Sequence, residues 1–531
     1  MSRKYLYDKD LHVASILSKN DWSNVNVHAL LQSPGDKQPS INAYLGARYS
    51  RSADSVWDIA AEVMEKGVNS AERLEAIFHG YGHKSVGDMA DLFLCIENIP
   101  MITAMRIFNI NPVIAGQERS TRYQNFQDPR YVKIPKSLKV SNTLRKGYDD
   151  IIHKHLEDYC EMLEPTKMAM VEKFKIDISD KNEKRVLEAR TFDVVRYFLP
   201  IGLETSFGVV MSARNWAELI GYFRASNQLI DNEIAELIYD LLTGVPELTD
   251  KGYVPEADGL IRHTEANDCR LCCACELKEL LAGRIGNRLK PPSRVGEYLV
   301  VEDGCDPVAT MLSNVALLND PYSVFSRDHS QALRELAGKI VFDHHDHYKQ
   351  IGCVGQSGAI MLDSFADQGI LKDLNRHRSM ERFVPLWNES VEMDKELDRE
   401  SSEMFFLCDY LYEQDLAGLR KQFAEKLTET YDMISEWYEK AKNEMADENV
   451  REFTRYLLPH AHSTRYRFFG SVDDLQYTIN LRTRNGGHIA YRKHTYQWLE
   501  KLAGKETFWQ AMLDKLPPVE PSSRDQLMDR S

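Results

Sequence analysis

The chain of 531 residues carries 66 Lys+Arg against 81 Asp+Glu, a net charge of −15 with a pI near 5.6. With 43% hydrophobic and 28% charged residues it has the composition of a folded globular protein, which excludes a disordered or fibrous chain. The acidic balance also excludes a bulk nucleic-acid binder, because the phosphate backbone rewards a basic face, but it leaves room for a local basic pocket around one nucleotide.

At the N-terminus, MSRKYLYDKDLHVASILSKNDW has basic residues without the apolar core of a signal peptide. No stretch reaches the roughly 18 uninterrupted apolar residues of a membrane span, so a cytoplasmic protein without membrane contact is expected. His83-Lys84-Ser85 follows the helical pattern AERLEAIFHGYG, and Gln117-Glu118-Arg119-Ser120-Thr121-Arg122-Tyr123 is the densest polar string of the first half. A Ser hydroxyl, an Arg fork and a carboxylate at that spacing suit an anionic, hydroxylated ligand; the same string alone also describes a solvated turn. YVKI (131–134) and EYLVVED (297–303) carry strand signals. NTLRKGYDDIIHKHLEDYCEMLE (142–164) predicts a helix with Tyr148, Ile152, Leu156, Tyr159 and Leu163 on one face.

FDVVRYFLP (192–200) then meets its echo in EFTRYLLP (452–459): Arg196 matches Arg455 and Pro200 matches Pro459, 259 residues apart. Downstream, Gly221-Tyr222-Phe223-Arg224 matches Ile479-Asn480-Leu481-Arg482, with Arg224 and Arg482 258 apart. A second long helix is predicted over 418–446, with Phe423, Leu427, Ile434, Trp437 and Ala441 at three-to-four spacing. Two matches at nearly one offset, each preceded by a long helix, identify a duplicated unit. The expected organisation is mixed α+β, with a first half over 1–254, a Cys- and Pro-containing linker over 255–296, a second half over 297–515 and a mobile polar tail over 516–531.

In the second half, Asn375-Arg376-His377-Arg378-Ser379 concentrates positive charge on an acidic chain, which suits a phosphate or a delocalised anion. Three other features carry less. Gly352-x-x-Gly355-x-x-Gly358 lacks the spacing of a dinucleotide fingerprint. Cys269, Cys272, Cys273 and Cys275 have a thiolate spacing open to zinc or an iron–sulfur cluster, but no second CxxC or nearby CxxH completes it, so reduced linker thiols or a redox pair are expected and no metal is assigned. His344-His345-Asp346-His347 reads as a hydrated turn.

In order and spacing these motifs resemble the flavin-dependent thymidylate synthases, whose pattern is Arg-His-Arg-x-x-Ser-x-Asn-Glu-x-Ser-x-Arg-Tyr. A Gly-His-x-Ser segment precedes it, and Arg-x-x-Leu-Pro and a helical Leu-Arg follow. The first half has Gly82-His83-Lys84-Ser85, Glu118 to Tyr123, Arg196 to Pro200 and Phe223-Arg224. It has Ile110-Asn111-Pro112 in place of Arg-His-Arg, and Ala115 and Gln117 in place of the Ser and Asn. The second half has Arg376-His377-Arg378, Arg455 to Pro459 and Leu481-Arg482 but lacks the Glu-x-Ser-x-Arg continuation. Each half thus lacks what the other retains.

The resemblance implies two fused halves, each with long helices and a twisted antiparallel sheet, sharing one composite site. It implies Ser120 and Arg482 as catalytic residues, and Ser120, Arg122, Arg196, Arg376 and Arg482 as binders of the nucleotide. His83, Ser85, Glu118, Arg376, His377 and Arg378 would lie by the FAD. The implied reaction is reductive methylation of dUMP to dTMP, with methylenetetrahydrofolate and NADPH as co-substrates, in a homodimer acting as a pseudo-tetramer. Modification of another pyrimidine nucleotide, such as hydroxymethylation, and a non-catalytic nucleotide-binding paralogue are the alternatives.

Overall fold

The computed structural model describes residues 2–31, 39–50, 52–65, 84–110, 115–121, 126, 129–257, 259–269, 272–273, 276, 280, 290–304, 306–316, 327–344, 352, 355–356, 358–388 and 391–529. His83, Arg122 and Cys275 lie outside them, as do His345 to His347.

Two antiparallel sheets are built from β1 Ser2–Asp8, β2 Val13–Lys19, β3 Asn26–Leu30, β4 Asp91–Pro100, β5 Ala115–Glu118, β6 Glu204–Ser212, β7 Leu299–Gly304, β8 Ala359–Asp367, β9 Glu381–Phe383 and β10 Ser463–Gly470. The first runs β1-β2-β3-β4-β6-β5 and the second β7-β8-β10-β9. Around them lie α1 Pro39–Tyr49, α2 Val56–Glu65, α3 Met101–Ile110, α4 Asn142–Phe174, α5 Lys181–Val195, α6 Ala213–Ala225 and α7 Leu229–Thr243 in the first half. The second half supplies α8 Pro307–Ala316, α9 Arg327–His344, α10 Gln368–Leu374, α11 Ala417–Ala441, α12 Asp447–Leu457, α13 Val472–Arg482 and α14 Ile489–Lys505. This is the α+β class that the sequence implies.

The order β4-α3-β5-α4-α5-β6-α6-α7 recurs as β8-α10-β9-α11-α12-β10-α13-α14, and the duplication reaches individual caps. Ser212 ends β6 and accepts from Asn215 N to start α6, and Ser471 follows β10 and accepts from Asp474 N to start α13. These two serines are 259 residues apart, the offset of the Arg-x-x-Leu-Pro pair.

Those Arg-x-x-Leu-Pro segments join the halves. Pro200 and Pro459 face one another in an antiparallel bridge. Proline has no N–H to give, so the flanking residues make the ladder. Ile201 N donates to Leu458 O at 2.8 Å, and its counterpart His460 N donates to Leu199 O at 2.8 Å. Gly202 N donates to Tyr456 O at 3.0 Å, and its counterpart Ala461 N donates to Tyr197 O at 3.1 Å. Each bond is thus repeated by its 259-residue counterpart, which places a local two-fold axis at the prolines. Beside it α4 packs on α11: Tyr148 and Trp437 rings lie 5.7 Å apart, Trp437 Nε1 donates to Leu144 O at 2.9 Å, and Phe423 stacks on Phe198 at 4.7 Å. Burial of each such ring contributes about 1.5–3 kcal/mol.

Two expectations differ from the structure. Over 131–134 only Tyr131 pairs, in a single bridge to Leu203, so that segment is not a strand. The polar tail is packed through residue 529 instead of mobile, because its few apolar residues dock: Leu527 is 1% and Val519 8% exposed, and Arg190 Nε donates to Leu527 O at 3.1 Å. Among the described residues no helix is long and apolar enough to cross a membrane.

Candidate active site

Strand register fixes which positions of the two halves correspond. Pro100 pairs with Glu204 as Asp367 pairs with Ser463, so α3 and α10 match at an offset of 267. Ala115 pairs with Val210 as Glu381 pairs with Phe469, so β5 and β9 match at 266.

The helix α10 begins where β8 ends. Asp367 caps it by accepting from Ile370 N at 2.8 Å, and Tyr197 of the first half donates its hydroxyl to the same carboxylate at 3.0 Å. Burial pushes the Asp367 carboxyl up to about 7. From this anchored start the helix delivers charged side chains to the first half. Lys372 bonds Glu118 at the end of β5, both side chains being almost wholly buried. Asp373 pairs with Arg196 at 3.4 Å, and Arg196 also donates to Thr121 Oγ1 at 3.3 Å. Ser120 is half-buried between Thr121 and Arg119, whose N–H bonds Ser206 O at 3.0 Å. Asn375 closes the contact by donating to Met105 O at 2.8 Å.

Next to α10, the Arg-His-Arg turn divides its labour. Arg376 and Arg378 are exposed, whereas His377 is 4% exposed. Arg482 Nε donates to His377 Nε2 at 2.6 Å, so that nitrogen carries the lone pair and the ring proton sits on Nδ1, 3.2 Å from Thr478 Oγ1. Burial, and then the charges of Arg482, Arg382 and Arg376, hold His377 well below its ordinary pKa, so it is neutral. Both its nitrogens are engaged, and in this structure His377 orients Arg482. The Arg482 guanidinium lies 5.2 Å over the Tyr491 ring. Arg382, from β9, reaches across to Phe108 O at 3.1 Å, and burial followed by Arg378 pulls its guanidinium down to about 10.

At the corresponding positions of the other pair of segments the chemistry is different. Met105 and Val384 stand where Lys372 and Glu118 stand, and both are buried. Arg106 occupies the place of Asp373 and turns away, to Asp231 at 2.9 Å and Gln228 at 2.8 Å. Arg455, the counterpart of Arg196, donates to the carbonyls of Asn388 at 3.0 Å and Leu386 at 3.4 Å. Arg224, which the sequence motif matches with Arg482 one residue out of the register of the helix caps, is held by Glu236 at 2.7 and 3.1 Å.

Of the residues singled out from sequence, Glu118, Ser120 and Arg196 come together with α10, and Arg376, His377, Arg378 and Arg482 cluster at its end. Ser85 lies in the 3₁₀ turn Lys84–Met89. Lys372, Asp373, Arg382 and Thr478 escaped notice. The signals for two of them were the spacing of Lys372 four before Arg376, and of Thr478 four before Arg482 on one helix face. Among the described residues no three His, Cys, Asp or Glu side chains group to hold a metal, and Cys269, Cys272 and Cys273 are exposed.

The model of the thymidylate synthase complementing protein family matches residues 30–248 and 365–505, one segment in each half. A UPF0159 protein of Chlamydia muridarum (strain MoPn / Nigg) is 22% identical over 441 residues, covering 80% of this chain and 77% of that relative. The UPF0159 protein Ta1429 of Thermoplasma acidophilum is 22% identical over 369 residues, 63% of this chain and 71% of the relative. Among solved structures, a UMP/dUMP methylase PolB from Streptomyces cacaoi bound with 5-Br UMP aligns at a TM-score of 0.30 and 13% identity, over 44% of this chain and 100% of its own. With most of both halves matched, the chain belongs to the thymidylate synthase complementing protein family.

Proposed function

We propose that this chain is a flavin-dependent thymidylate synthase-like enzyme of the cytoplasm that methylates dUMP reductively to dTMP, with one composite site per chain. The observation that carries this reading is the meeting, around α10, of the Glu-x-Ser segment and Arg196 of one half with the Arg-His-Arg turn of the other, through the Glu118–Lys372 and Arg196–Asp373 pairs. Ser120 and Arg196, with Arg122, would hold the nucleotide's phosphate and sugar, and Arg376 and Arg482 would face the pyrimidine. An Arg beside the ring stabilises negative charge that develops there.

The donor set suits FAD. The buried Arg382 Nε has no hydrogen-bond partner among the described residues, and Arg376 and Arg378 are exposed nearby, a concentration of positive charge that would suit a pyrophosphate. His83, Ser85 and Glu118 would border the ring system. Bound FAD would supply the redox chemistry, with NADPH as reductant and methylenetetrahydrofolate as carbon donor, while the chain binds and orients. A homodimer is the proposed assembly. A second reading, modification of another pyrimidine nucleotide, draws on Ala115 and Gln117, which replace the family's Ser and Asn.

The test is tritium release from 5-tritiated dUMP by purified protein supplied with FAD, methylenetetrahydrofolate and NADPH. Release with dTMP formation supports the synthase; release with another product supports the second reading. Protein that takes up neither FAD nor dUMP overturns both and leaves the non-catalytic paralogue.

A further inference from the structure

We propose that Lys372 is a positioning residue for the Glu118 carboxylate, holding it aimed at the bound ligands. This inference rests on the reading that Glu118 borders the flavin–nucleotide site. Three observations converge on it. First, the Lys372 and Glu118 side chains are only 3% and 4% exposed, and an ion at such depth without a partner is costly enough to neutralise itself. Second, Lys372 is mounted on a short helix fixed at both ends to the opposite half, by Asp367 to Tyr197 and by Asn375 to Met105 O. Its ammonium therefore arrives at Glu118 from a rigid base. Third, the corresponding positions hold Met105 and Val384, both buried. This fold accommodates an apolar pair at that place, so packing alone does not demand the charges.

A buried ion pair is weak evidence for stability, and an apolar replacement of both partners is often neutral. The pair is then better explained by what Glu118 does. Lys372 engages Oε1 and leaves Oε2 to accept from a ligand N–H or O–H. The other charged groups near Lys372 are already matched or neutral: Arg196 is paired with Asp373, and His460 is held down to about 3, by burial and then by the Lys372 charge.

The experiment compares Lys372→Met, Lys372→Arg and the double variant Lys372→Met/Glu118→Val in the full-length chain, by thermal melting and by steady-state turnover of dUMP. Lys372→Met is expected to melt several degrees lower and to lose at least tenfold in kcat, with the dUMP KM changed less than threefold. Lys372→Arg is expected to restore most of both. The double variant is expected to recover the melting temperature yet remain inactive. The proposal is overturned if Lys372→Met turns over like the native chain, or if the double variant melts no higher than the single one. Should the native chain itself turn over no dUMP, the functional reading falls. The melting series then still decides whether Lys372 holds Glu118.

Discussion

Two regions of this molecule are built from corresponding segments and have opposite chemistry. Around α10, Glu118 meets Lys372 and Arg196 meets Asp373. Around α3 the same places hold Val384, Met105, Arg455 and Arg106, of which the first two are apolar and the arginines are bound to backbone carbonyls or to Asp231. The fold tolerates either filling, so the fold does not specify the chemistry. What distinguishes the regions is whether a charge from one half finds its complement in the other.

The strongest way to break the comparison is to write one region into the other. Asp373→Arg copies the residue at the α3 position and sets two guanidiniums together where Arg196 is 1% exposed. An uncompensated buried charge costs about 3–5 kcal/mol, to be read as a loss of that size in urea unfolding. A loss under about 1 kcal/mol would mean that Arg196 and Asp373 are not the coupled pair the geometry describes.

A smaller effect separates the two regions functionally. Arg196→Met strands Asp373 and lowers stability, and it should in addition weaken dUMP binding by about 1.5–3 kcal/mol in titration calorimetry, as befits a lost charged hydrogen bond. Arg455→Met strands the carbonyls of Leu386 and Asn388 and should lower stability while leaving dUMP affinity unchanged. Equal losses of affinity in both variants would make the regions functionally alike and sink the single composite site. The same logic applies to Arg224, neutralised by Glu236, against Arg482, which donates to an uncharged His377.

Much of this was legible in the sequence because it is local. The stripe at Phe423, Leu427, Ile434 and Trp437 follows helical periodicity, and all four are buried. The repeat announced itself through Arg196/Arg455 and Pro200/Pro459. What the sequence did not reveal depends on pairings between distant segments. Glu118 and Lys372 are 254 residues apart, and nothing near either one names the other. The ladder at Pro200 and Pro459 is a contact between the two copies of a motif, visible only once both are folded. The burial of His377 between Thr478 and Arg482 is of the same kind, since both partners lie about a hundred residues away in the chain. The tail misled for the opposite reason, since polar composition hides how well a single leucine can dock.

The central ladder is itself asymmetric at one step, because Gly202 corresponds to Ala461. A Cβ on Gly202 would meet Tyr456 O at 2.6 Å and Tyr456 Cβ at 2.4 Å, so Gly202→Ala must push the two halves apart. Overpacking of this kind costs about 1–3 kcal/mol, which a melting curve resolves. Ala461→Gly, at a fully buried position, loses one methyl, about 0.8 kcal/mol, and adds chain entropy, about 0.5–1 kcal/mol, without pushing the halves apart. If Gly202→Ala costs nothing, the axis is looser than these distances describe.

The mildest test concerns the capped start of α10, where the two halves share one carboxyl. Burial raises Asp367 from 3.8 to about 7, with Ile370 N and Tyr197 as its hydrogen-bond donors. The folded chain therefore holds this proton more tightly than the unfolded chain does. The stabilisation is complete below about pH 4 and is lost as pH rises through 7, a change of about 2 kcal/mol between pH 5 and 7. Asp367→Asn keeps an acceptor for Ile370 N and removes the titration. The stability difference between native and variant chains should therefore shift with pH over that window, while all other titrating groups cancel in the subtraction. A difference that stays flat from pH 5 to 7 would show that the α10 cap is already ionised, and would remove proton binding from the features that set α10 apart from α3, whose start holds Pro100 at the corresponding place.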